Sequence, residues 1–98
     1  MSNVVYLGDL EGSSVLLDGD LDRGKVRHSL RIYRDSSRGN TVGVGRIWGK
    51  PSVLQYATAG QLTRLRLENG EVVSVLVHRK SSKEGYACIG IDGAVPGF

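Results

Sequence analysis

Basic side chains at strand spacing carry the most specific chemistry in this sequence. Lys25, Arg27 and Arg31 alternate with apolar residues over positions 25–34, and Arg64 and Arg66 do the same within positions 61–79. Side chains two apart on a strand share a face and lie about 7 Å from each other. Lys25, Arg27 and Arg31 would therefore line a stripe of roughly 20 Å, which Arg64 and Arg66 would extend if both strands lie in one sheet. Guanidinium groups grip phosphates through paired hydrogen bonds, and a row of them neutralises several phosphates of a polyanion. Tyr33, at the end of the stripe, offers a ring on which a base can stack. These six residues are the expected nucleic-acid contacts. A merely solvated face would look similar, because antiparallel sheets routinely leave one side wet and charged.

The charge distribution supplies a competitor for that surface. Residues 1–22 hold Asp9, Glu11, Asp18, Asp20 and Asp22 and no Lys or Arg. Residues 23–50 hold Arg23, Lys25, Arg27, Arg31, Arg34, Arg38, Arg46 and Lys50 against Asp35 alone. If Asp18, Asp20 and Asp22 fold back over the basic face, they neutralise it. The expectation then changes to a protein-interaction or self-associating domain that presents a sheet edge or apolar surface, and a homo-oligomer becomes one outcome.

Other chemistry is thinner. The run Asp18-Gly19-Asp20-Leu21-Asp22-Arg23-Gly24 alternates carboxylates as a calcium loop does. Its glycine comes one residue late, Ser29 stands where the closing Glu belongs, and Arg23 opposes a cation, so an acidic turn is expected. Gly43-Val44-Gly45-Arg46-Ile47-Trp48-Gly49 lacks the Gly-Lys-Ser/Thr ending of a phosphate loop and reads as a closely packed or sharply bent strand. His28 falls on an apolar face and is expected as a satisfied core histidine. His78 and Cys88 would need the fold to join them and a third group to orient them before they could act as base and nucleophile. There is no Gly-x-Ser-x-Gly, His-x-x-x-His or Cys-x-x-Cys motif. The expectation is a binding module without catalysis, metal or cofactor.

Two short stretches share part of a known signature. The strand–Asn-Gly–strand unit of residues 65–77 resembles the core of Sm-type RNA-binding barrels. Valine or serine replaces that family's glycine, however, and no Asp-Asn pair follows. Arg27-x-x-x-Arg31 with Asp35-Ser36-Ser37-Arg38-Gly39 is similar to the nucleotide-binding signature of PilZ barrels. Its second motif is one residue short and nearly abuts the first. Neither covers a fifth of the chain, and neither assigns a family.

The elements that must position the basic residues are strands. Val26, His28, Leu30 and Ile32 point one way, and Lys25, Arg27, Ser29, Arg31 and Tyr33 the other. Glu68-Asn69-Gly70-Glu71 joins two further alternating runs, a strong hairpin signal. A two-residue turn would set Glu68 against Glu71. A three-residue loop with Gly70 as a left-handed bulge instead pairs Leu65 with Val73, Thr63 with Val75, Arg64 with Ser74 and Arg66 with Val72. That register separates Leu65, Leu67, Val73, Val75 and Val77 from Arg64 and Arg66, and it is the one expected. Val26, Leu30, Ile32, Leu65, Val73 and Val75 should then share one core, with His28 among them. Strands are also expected at residues 4–7, 14–17, 41–48 and 86–91, with a glycine-rich tail over 92–98. Residues 51–59 fit either a short helix capped by Ser52 or a strand.

These readings give an all-β, mainly antiparallel barrel or sandwich of seven to eight short strands, with at most one short helix, in a single domain over residues 1–98. The 40% hydrophobic content is ordinary, and the 14 glycines, about twice the usual share, suit turns and bulges. A lone Cys88 favours a reducing, cytoplasmic setting. Met1-Ser2-Asn3 does not begin a signal peptide, and no apolar run approaches the roughly 20 residues of a membrane span.

Overall fold

The alternation around residues 25–34 belongs to one of six strands in a closed antiparallel barrel. The computed structural model describes residues 3–98, with Asp92 described by its backbone. The strands are β1 (Val4–Asp18), β2 (Leu21–Asp35), β3 (Asn40–Trp48), β4 (Leu62–Leu67), β5 (Val72–Ser81) and β6 (Tyr86–Asp92), with a single helical turn, α1 (Pro51–Leu54), before β4. They follow one another around the barrel as β1-β2-β3-β6-β5-β4.

The strand count is six rather than seven to eight because the two segments expected at 4–7 and 14–17 are one strand. Gly8 and Gly12 suggested a loop between them. Both are strand positions, paired with Ile32 and His28, and a bulge between Tyr6 and Gly8 absorbs the curvature. The loop expected over 18–24 likewise shrinks to a turn at Gly19-Asp20. Residues 51–59 contribute α1, which starts at Pro51, where proline's fixed φ suits the first helical position. Lys50 precedes it without a side-chain cap, so Ser52 is not the cap. Leu54, fully buried, closes this end of the barrel.

The hairpin between β4 and β5 has the bulged register: Leu65 pairs with Val73, Thr63 with Val75, Arg64 with Ser74 and Arg66 with Val72. Gly70 takes φ +89°, and its N–H donates to the Leu67 carbonyl at 2.9 Å while the Leu67 N–H donates to the Glu71 carbonyl at 2.8 Å. The expected core forms. Val26, Leu30, Ile32, Leu65, Val73 and Val75 lie in one buried cluster, and His28 is buried beside them. Burying each such aliphatic side chain stabilises the fold by about 1.5–3 kcal/mol. At the end opposite α1, the segment 93–98 crosses the barrel mouth and buries Val95.

Gly45 marks the tightest approach in the sheet. A Cβ built there would lie 1.9 Å from the Ser29 carbonyl oxygen, so only glycine lets β3 follow the inward curve of β2. At Gly70 an added Cβ would meet nothing, and only the positive φ penalises a side chain. Gly70→Val should therefore cost at least ~1 kcal/mol. Gly45→Ala should cost about 1–3 kcal/mol or more through forced displacement of backbone. Chemical denaturation checks both, and a Gly45→Ala protein as stable as the parent would contradict the packing.

Candidate nucleic-acid interface

Direct cross-strand partners point to the same face of a sheet, so the registers place every outward side chain in a row around the barrel. One row runs Arg27–Trp48–Tyr86 across β2, β3 and β6. The next runs Ser29–Arg46–Cys88–Arg79 and reaches β5. A third runs Arg31–Val44–Gly90–Leu76. Neighbouring rows stand about 7 Å apart and neighbouring strands about 4.8 Å apart, so these side chains occupy one continuous wall. Arg27, Arg31, Arg46 and Arg79 are exposed, and Trp48 keeps 38% of its surface in solvent. The Arg46 guanidinium lies 4.4 Å from the centroid of the Tyr86 ring, which holds that cation in place.

The six expected contacts divide between two surroundings. Lys25, Arg27 and Arg31 project outward from β2 as expected, and Tyr33 sits half-buried with its ring centroid 5.7 Å from that of Tyr6. Arg64 and Arg66 project from β4, one strand away, because β1 lies between: Val15 pairs with Lys25 on one side and Arg66 on the other. The two β4 arginines are occupied. Arg64 donates to Asp20 at 3.1 Å and to the Gly19 carbonyl, Arg66 stands 3.5 Å from Asp22, and Arg23 pairs with Asp18 at 3.1 Å. The acidic turn between β1 and β2 thus folds over β4 and takes up its arginines. It does not reach the β2 stripe. Among the described residues, Lys25, Arg27, Arg31, Arg46 and Arg79 enter no ion pair.

Arg46, Trp48, Tyr86 and Arg79 were not among the expected contacts. The signal for Arg46 and Trp48 is present in the alternation Val44-x-Arg46-x-Trp48, whose other face is Gly43, Gly45 and Ile47. The glycines drew the reading of that segment toward its bend and away from its outer face. That β3 (Asn40–Trp48) lies beside the distant β6 (Tyr86–Asp92) is set by topology and leaves no mark in local sequence.

His28 is a core residue, 3% exposed, with its Nδ1 3.1 Å from the Ser14 hydroxyl. Burial in apolar surroundings pushes its pKa below the ordinary 6.5. The Arg27 charge acts in the same direction and the Glu68 carboxylate against it. Asp35 is held below the usual carboxylate range, first by the Ser37 hydroxyl at 2.6 Å. No group of three or more His, Cys, Asp or Glu among the described residues is placed to hold a metal ion. No described helix is long and apolar enough to cross a membrane. Compared with protein-family models, curated proteins and solved structures, the chain matches none of them.

The depressed His28 pKa fixes a pH dependence. The unfolded chain takes up this proton near pH 6.5 and the folded chain only below that, so the His28 contribution to stability is lost as pH falls below about 6.5. Its slope cannot exceed about 1.4 kcal/mol per pH unit for one proton. Thermal melts from pH 7.5 to 5.5 should show Tm declining, and His28→Gln should flatten that decline. An unchanged slope in the variant would contradict the assignment.

Proposed function

We propose that this barrel is a non-enzymatic module that binds single-stranded nucleic acid along the outer wall formed by β2, β3, β6 and β5. One observation carries the reading. Cross-strand pairing sets four arginines that enter no ion pair among the described residues, Arg27, Arg31, Arg46 and Arg79, on one wall with an exposed tryptophan. In this reading the arginines and Lys25 contact phosphates, sequence-independently. Trp48 stacks on a base at the Arg27 end of the wall and Tyr33 at the opposite border. Tyr86 lies beneath Arg46 and serves to orient that guanidinium. Asp9 pairs with Arg31 across the strands and Glu11 with Ser29, so the β1 border of the wall repels phosphate and limits the footprint to one side.

Arg64 and Arg66 are left out of the proposed footprint because Asp20 and Asp22 neutralise them. The same ion pairs favour the second reading, a protein-interaction or self-associating domain, since they remove part of the basic surface that the sequence offers. Fluorescence anisotropy with an oligothymidylate at increasing salt separates the two. Each phosphate contact to a single strand contributes about 0.7 to the slope of log affinity against log salt, so Arg27→Ala with Arg46→Ala should flatten it by about 1.4. Arg64→Ala with Arg66→Ala should leave the slope unchanged. Trp48→Ala should weaken single-strand binding by ~1–3 kcal/mol and duplex binding much less. Absence of salt-dependent binding would replace this reading with the interaction-domain one.

A further inference from the structure

The barrel closes only along part of its length. β1 pairs with β4 through residues 14–17 alone, while its other side pairs with β2 from end to end. Among the described residues, positions 4–13 of β1 therefore have no strand partner on the side away from β2. The first open position is covered by a side chain: the Ser13 N–H donates to Glu68 Oε1 at 2.8 Å. That bond identifies Ser13 as a residue whose backbone faces the open side. By the alternation of an antiparallel ladder, Glu11 and Asp9 face it too. Their main-chain groups form the row that an added strand would read.

A cleft of about 260 Å³ lies along this edge. Its apolar lining comes from Leu10, Leu67 and Pro96, its carboxylates from Glu11 and Glu68, and no Lys or Arg lines it. His28 also lines it. This imidazole is 97% buried by its 3% exposure, and with Nδ1 against Ser14 its Nε2 has no hydrogen-bond partner among the described residues. We propose that this cleft takes an extended peptide segment of another protein as an additional strand on β1, with basic residues alternating with apolar ones.

The ligand pattern follows from the two faces of β1. Inward-pointing side chains of the added strand would lie beside Leu10 and meet Leu67 and Pro96, which calls for apolar residues. Outward-pointing ones would lie beside Asp9 and Glu11, which calls for Lys or Arg. A second copy of this chain is disfavoured at the same place, because pairing β1 with itself would bring Asp9, Glu11 and Glu68 against their own duplicates. The acidic edge thus guards against self-association and selects a basic partner.

The test uses the intact protein and dye-labelled peptides. Lys-Val-Lys-Val-Lys-Val should bind, and Glu-Val-Glu-Val-Glu-Val should bind at least tenfold more weakly. Glu11→Pro removes an N–H that faces the open side and none from the β1–β2 ladder, a substitution that edge strands tolerate. It should weaken the basic peptide at least tenfold, whereas Glu11→Gln should mainly reduce the salt dependence. A second measurement leaves the protein untouched. N-methylating the peptide's alternate amides should abolish binding for one of the two sets and spare it for the other, since a strand offers one edge to its partner. Equal binding of both peptides, equal effects of Glu11→Pro and Glu11→Gln, equal effects of the two methylation sets, or no binding up to about 1 mM peptide would each overturn the proposal.

Discussion

Closure of the sheet between β1 and β4 is the constraint on which the rest of this molecule depends. Four residues of β1, positions 14–17, meet four of β4, and they turn a six-strand sheet into a barrel. The same short seam decides where charge goes. Leu17 pairs with Arg64 and Val15 with Arg66, so the turn that follows β1 emerges next to those arginines with Asp20 in it and Asp18 and Asp22 on the strand ends that flank it. The acidic segment is delivered to β4 by register, and the β2 stripe on the far side of β1 is beyond its reach. Below the seam, β1 is left with an unpaired edge and the barrel with a cleft floored by His28.

The ion pairs over β4 do little for stability. Asp20 is fully exposed and the guanidiniums of Arg64 and Arg66 are partly so, and exposed pairs are weakened by solvent and salt. Their consequence is electrostatic. They divide the outer surface into a neutralised sector around β4, an acidic border along β1 and a basic, aromatic wall from β2 to β5. A net charge of +3 conceals that division into surfaces of opposite charge. Fold stability rests instead on the aliphatic interior and on the close approach at Gly45 that lets the sheet curl.

What was legible in the sequence was local. The period-two pattern of β2 placed Val26, His28, Leu30 and Ile32 inside and Lys25, Arg27 and Arg31 outside, and the Glu68–Glu71 conflict selected the hairpin register with Gly70 at positive φ. Where glycine fell inside a strand, local reasoning failed. Gly8 and Gly12 read as a loop, yet they are strand positions of β1, where the Phe98 ring and the Glu68 carboxylate crowd the space their side chains would take. Gly43 and Gly45 fit either close packing or a sharp bend by sequence, and the structure has close packing there, with Arg46 and Trp48 on the other face. Of the wall, only the β2 stripe was legible. Arg27, Trp48 and Tyr86 become neighbours only through pairing of β2 with β3 and of β3 with β6, and no short-range pattern encodes which distant strand lies alongside.

In the proposed function the outer wall of β2, β3, β6 and β5, rather than the whole basic surface, receives single-stranded nucleic acid. Heteronuclear NMR titration of the isotope-labelled protein with a short oligothymidylate tests this. The largest shift changes should fall at the Trp48 indole N–H and at the guanidinium and backbone signals of Arg27, Arg46 and Arg79, with Arg64 and Arg66 unmoved. Changes centred on Arg64 and Arg66, or no changes at all, would contradict it.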